Sequence, residues 1–190
     1  MNLLVGALIA ALGTSPAVAE IDAPIEVSSV ADRALSARPG ESLLLVVGDR
    51  ITTARVDRAG ISSRGLSLRL SGNKMRGEVG GQRVDIELAG ARITGRIGAF
   101  EIALEVGRVD GALNVKGHFG ARSASEALSP TAVTAEVGPC RYELKFQHQE
   151  YAGQVECGGQ PEPVHLRVPA ALIARRDIEI AALFTALLAR

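Results

Sequence analysis

Few side chains in this sequence are of the kinds that do chemistry: 3 histidines, 2 cysteines and no tryptophan in 190 residues. His118 stands in a glycine-flanked stretch, His148 in an expected turn and His165 in a late strand. Their spacing fits no metal-ligand set, and two cysteines add too little for a structural zinc site. No nucleophile elbow, H-E-x-x-H, phosphate-binding loop or dinucleotide fingerprint is present. Carboxylates are plentiful, but along residues 66–115 they alternate with arginine on what reads as a solvated face. That setting does not lift a carboxyl pKa toward neutrality, as a general acid requires. The expectation is a noncatalytic protein with no metal and no cofactor. An enzyme would have to assemble its groups from distant loops.

Cys140 and Cys157 carry the most specific signal. A two-residue turn at His148-Gln149 sets Phe146 opposite Tyr151, Leu144 opposite Gly153 and Tyr142 opposite Val155. The same register brings Cys140 opposite Cys157, at a separation that admits a disulfide. Two free thiols or a redox pair are the alternatives, and the lack of a C-x-x-C speaks against the redox pair.

Residues 1–19 bear on the same point. An apolar run, Leu3 to Leu12, precedes a small-residue tract ending Ala17-Val18-Ala19, the pattern of a secretory cleavage site. The mature chain is then expected to start at Glu20, in a periplasmic or secreted, disulfide-permissive compartment. The run has no Lys or Arg before it, and a short buried N-terminal helix is the competing reading.

The 21 basic and 21 acidic side chains cancel, which removes the electrostatic footprint of nucleic-acid binding. Near-zero charge also favours self-association. With 47% apolar and 22% charged residues, the composition suits one globular domain.

The elements that would position any site are strands. From Leu66 to Val115 the apolar pattern has period two, broken by glycine-bearing pairs. Turns at Gly72-Asn73, Gly80-Gly81, Ala89-Gly90, Gly98-Ala99 and Gly107-Arg108 give a meander with an apolar face. Among its pairs are Met75 with Ile86, Ile86 with Ile93, and Ile93 with Leu104. The opposite face then pairs Arg76 with Asp85, Glu78 with Arg83, Glu87 with Arg92, Arg92 with Glu105 and Arg96 with Glu101. Three like-sign pairs remain: Arg69 with Arg76, Arg83 with Arg96, and Glu105 with Asp110. Gly77, Gly95, Gly111 and Gly153 recur within a Φ-x-Gly-x-Φ unit on the apolar face. They let a sheet curl, or leave room for a ligand, which makes them candidate ligand-facing positions.

The expected fold is all-β: an up-and-down antiparallel meander of about ten to twelve strands, curled into a barrel or half-barrel, with a short C-terminal helix. Within a single domain, 20–190, it divides into a first meander at 43–117, a linker at 118–130, disulfide-stapled strands at 131–168 and a helix at 177–190. Asp177 is the expected helix N-cap, and the helix is expected to close one opening of the curl. Runs of six to eight residues with 4 Phe and 2 Tyr in the whole chain do not suit a membrane-spanning barrel. Function is expected to be binding of an apolar or amphipathic small ligand inside the curl. The alternative is an envelope interaction or structural protein that meets its partner through a sheet edge or the C-terminal helix.

Overall fold

The computed structural model describes residues 42–189, and the expected export signal and the arm after it lie outside those residues. The described chain forms fourteen antiparallel strands: β1 (Ser42–Val47), β2 (Arg50–Asp57), β3 (Gly60–Ser63), β4 (Leu66–Ser71), β5 (Lys74–Val79), β6 (Gln82–Ala89), β7 (Arg92–Ile97), β8 (Phe100–Val109), β9 (Ala112–Phe119), β10 (Arg122–Leu128), β11 (Ala132–Val137), β12 (Cys140–Gln147), β13 (Glu150–Glu156) and β14 (Glu162–Arg167). Two helices follow, α1 (Ala170–Ile173) and α2 (Asp177–Leu188). Each strand pairs with its sequence neighbours, and β1 pairs with β14, so the meander closes into a barrel. Closure sets Leu45 beside Leu166 and Val47 beside Val164, both apolar pairs on the inner face.

The expected registers hold at Gly72-Asn73, Gly80-Gly81, Gly98-Ala99 and His148-Gln149. Two others are corrected. β6 and β7 turn at Gly90-Ala91, so Ile86 faces Gly95 and Leu88 faces Ile93. Gly90 has φ 60, and primed turns with glycine first need that position positive. β8 and β9 turn at Asp110-Gly111, where φ is 50 and 81, so Leu104 faces Gly117 and Ile102 faces Phe119. Asp-Gly is a strong primed-turn dipeptide, whereas Gly107 stays within the strand.

The corrected register also resolves most of the charge conflicts. Glu87 faces Lys74 and Thr94 rather than Arg92, and Asp85 takes Arg96 in place of Arg83. Glu105 faces Lys116 rather than Asp110. The outer face carries ion pairs at Arg76–Asp85 (3.0 Å), Arg92–Glu105 (3.3 Å) and Arg96–Glu101 (2.6 Å). Such exposed pairs add little stability singly, but they favour this register over its neighbours. A charged outer face and an apolar inner one is the reverse of a lipid-facing barrel. No helix among the described residues is long and apolar enough to cross a membrane.

The stretch 118–130, read from sequence as a linker, contains the end of β9 and all of β10. Its alternation Ala124, Glu126, Leu128 on the inner face is real, but the small and polar residues around it hide the pattern. β10 bridges the two blocks of strands into one sheet through β9 and β11.

The helix is the larger surprise. In α2 and just after it, Ala181 to Ala189 are all buried, with no exposed stripe. A helix buried on every side must lie in an interior. Here that interior is the lumen, because the buried strand residues are the inward ones and the outer face is ionic. The helix packs against β5 to β9 and β11 and belongs to the same apolar cluster as the barrel wall. It fills the curl rather than capping an opening. The Tyr142 hydroxyl donates to Leu188 O (2.8 Å), tying the helix end to β12.

Candidate functional site

All the turns that follow even-numbered strands lie at one end of an up-and-down barrel. At this end the helical segment enters, and beside it is a cavity of about 370 Å³. The β8–β9 hairpin supplies Arg108, Gly111 and Leu113, and the β10–β11 hairpin supplies Leu128, Ser129, Pro130 and Val133. Phe146 and Tyr151 come from the two sides of the β12–β13 turn, with ring centroids 5.2 Å apart in an edge-on pair. Val168 follows β14, Leu172 and Ile173 belong to α1, and Ile180 and Phe184 are on α2. Among the described residues the lumen is therefore filled along the helix but open where the helix begins.

The polar groups around this cavity are already engaged. The Arg108 guanidinium donates to both Asp177 carboxylate oxygens (2.7 and 2.6 Å) and to Gly111 O (3.0 Å). This contact holds the Asp177 carboxyl below the usual carboxylate range. Asp177 was expected as the N-cap, but the cap position falls to Arg176, which makes no side-chain capping bond. The Asp177 carboxylate instead pins the start of α2 to the β8–β9 hairpin. The Tyr151 hydroxyl donates to Ser129 O (2.8 Å), and burial pushes its pKa up. The Ser129 hydroxyl donates to Ala132 O and accepts from the Ala132 amide, both at 3.0 Å.

Of the four candidate ligand-facing glycines, Gly111 lines the cavity. Gly77, Gly95 and Gly153 do not. At each of these three, a Cβ would overlap a backbone carbonyl oxygen of the preceding strand: Ser67, Asp85 and Glu143 respectively. They mark where the coiled sheet brings two backbones together. Cys140 and Cys157 form a disulfide across the β12–β13 hairpin, 17 residues apart in sequence.

The histidines are scattered. His118 is exposed on β9, His148 is exposed in the β12–β13 turn, and exposed His165 lies 2.8 Å from Glu150 Oε1. No group of three or more metal-ligating side chains forms among the described residues. Every described strand is paired on both sides and α2 is enclosed, so among the described residues neither an open sheet edge nor an exposed face of α2 is offered to a partner.

One residue escapes a reading of the sequence. Glu126 of β10 points inward and is 3% exposed. Thr185 Oγ1 of α2 lies 2.6 Å from Glu126 Oε1 and 3.0 Å from Ala181 O. A hydroxyl has one proton, so it can donate to only one of these. The shorter contact is the bond that the Thr185 hydroxyl donates to Glu126 Oε1. Burial pushes the Glu126 pKa up to about 7, and the Thr185 bond opposes the rise only in part. Oε2 has no partner among the described residues. The signal that could have found Glu126 was the two-residue spacing with Ala124 and Leu128, once a turn is placed at Gly120-Ala121.

Comparison of the chain with protein-family models, with curated proteins and with solved structures finds no match.

Proposed function

We propose that this chain is an exported, noncatalytic binding protein that takes the apolar part of a small ligand into the cavity at the mouth of the barrel. One observation carries the reading: a half-open 370 Å³ pocket lined mainly by aliphatic and aromatic side chains from three hairpins and both helices. That volume falls within the range of small-molecule sites. The disulfide supports an oxidising compartment.

A neutral, environment-sensitive fluorophore such as N-phenyl-1-naphthylamine tests the site directly. Saturable one-to-one binding is expected. Leu128→Trp, which places an indole in the cavity, should weaken it about tenfold or more while the protein still melts cooperatively. No saturable binding, or equal binding to the filled variant, refutes the site.

A further inference from the structure

On the other side of the helical segment from the apolar cavity lies a second, more open cleft. Its charged walls are Arg55, Arg58, Arg175 and Arg176, set against Asp57 and Glu179. Four cations against two anions is a local excess in a chain whose total charge is zero. One acid is held by backbone amides and the other by the cleft's own Arg175 and Arg176, which leaves Arg55 and Arg58 as the excess. The Asp57 carboxylate accepts the Ala59 and Gly60 amides (2.8 and 3.1 Å), and Glu179 takes Arg176 at 2.6 Å.

Arg175 is nine-tenths buried, donates to Asp57 O and lies 3.9 Å from Glu179, yet its Nε has no partner. Arg55 and Arg58 meet no acidic side chain within ion-pair distance among the described residues. The cleft is therefore built with guanidinium groups to spare, and guanidinium forks suit carboxylate and phosphate oxygens.

The two hollows share one partition. Leu172 and Ile173 of α1 and Ile180 of α2 face the cavity, while Ala171, Ala174 and Glu179, their chain neighbours, line the cleft. Ile173 stands on this partition 60% exposed. A molecule with a hydrocarbon chain on one side and an anion on the other would cover it.

The cavity itself selects for hydrocarbon. Every polar side chain on its wall is already hydrogen-bonded, so a polar ligand would lose its hydration there and gain no partner. At 370 Å³ it sits at the lower end of small-molecule sites, with room for one chain and not two.

We infer that the ligand is a single-chain anionic amphiphile, its chain in the apolar cavity and its carboxylate or phosphate head against Arg55 and Arg58. This rests on the binding role proposed above and names the class of molecule bound.

Calorimetric titration of the full chain at low salt separates the two ideas. The ligands are octanoate, decanoate and dodecanoate, with dodecyl phosphate, dodecyltrimethylammonium and inorganic phosphate beside them. Each added methylene should tighten binding about fourfold. Dodecanoate should bind about tenfold more tightly than the cationic dodecyl compound, with the gap narrowing as salt is raised. The double variant Arg55→Ala, Arg58→Ala changes two exposed side chains. It should abolish the head preference and keep the methylene step.

An undiminished head preference in that variant overturns the inference, as does equal binding of the cationic chain. Inorganic phosphate binding as tightly as dodecyl phosphate would also overturn it, by making the cleft a free-anion site. Failure of every chain to bind removes the cavity reading as well.

Discussion

The buried Glu126 makes stability depend on pH in a direction opposite to that of a salt-bridged carboxylate. In the unfolded chain this side chain titrates near its ordinary value of 4.5, and in the barrel near about 7. Between those values the folded state holds a proton that the unfolded state has released. Stability is therefore greatest below pH 4.5, falls as pH rises through the interval, and levels off above pH 7 with the full penalty in place. The gap corresponds to about 3 kcal/mol, a large share of a small domain's stability.

Urea denaturation at intervals between pH 4 and pH 8.5 measures it. Other titrating groups add a background, so the informative quantity is the difference between the protein and Glu126→Gln. The amide keeps the shape and can donate to Thr185, but has no charge to desolvate. The variant should match the parent near pH 4 and exceed it by about 3 kcal/mol at pH 8. Thr185→Val removes the one hydrogen bond that opposes the rise, so it should carry the decline to higher pH. A parent-minus-variant difference that stays flat from pH 4.5 to pH 7 would refute the argument: Glu126 would then be titrating as an exposed carboxyl.

Two further measurements address the barrel wall. Gly95→Val puts a Cβ into the Asp85 carbonyl at φ 139, and should destabilise by about 3 kcal/mol or more, read from urea midpoints; an unchanged midpoint would mean the strands separate freely there. Thiol titration of the denatured, unreduced protein should find no free cysteine. Reduction should lower stability by about 3 kcal/mol in the chain-entropy treatment of a loop this long.

What the sequence made legible follows from which forces are local. Strand period, turn glycines and the Cys140–Cys157 pairing are all set by residues within one hairpin, and those readings stand in the structure. The two misplaced turns show the limit. At Ala89-Gly90-Ala91, a shift of two keeps the same faces in and out, so hydrophobicity cannot choose between registers. The choice falls to the φ demanded at the first turn position and to the charge pairs on the outer face, where Asp85 meets Arg96. At 107–111, Asp110-Gly111 outranked Gly107-Arg108 as a turn, and preferring the earlier glycine moved the register by six. β10 was missed because its inner row, Ala124, Glu126 and Leu128, holds a small residue and a carboxylate and only one large apolar side chain. The candidate cavity was less legible still, since its walls come from three hairpins and two helices that meet only when the barrel closes.

The buried helix and the cavity have one cause. A barrel of about eight strands can be filled by its own inward side chains, while one of sixteen or more leaves a channel. Fourteen strands fall between these limits, and inward residues such as Ala54, Ala124 and Ala135 shorten the wall's reach further. An apolar lumen of that width needs a filler, and an α-helix with its side chains, about 10–12 Å across, has the right calibre. This accounts for the composition of α2. Alanines at 181, 182 and 186 let it approach the wall, and Leu183, Leu187 and Leu188 fill the wider gaps. A twelve-residue helix spans only about 18 Å. Where it begins, Asp177 is held at the rim by Arg108, and the chain behind it turns away through Arg175 and Arg176 to α1. The volume the helix does not reach is walled by Ile180, Phe184 and the nearby hairpins. The cavity is the part of an oversized lumen that the described residues leave unfilled.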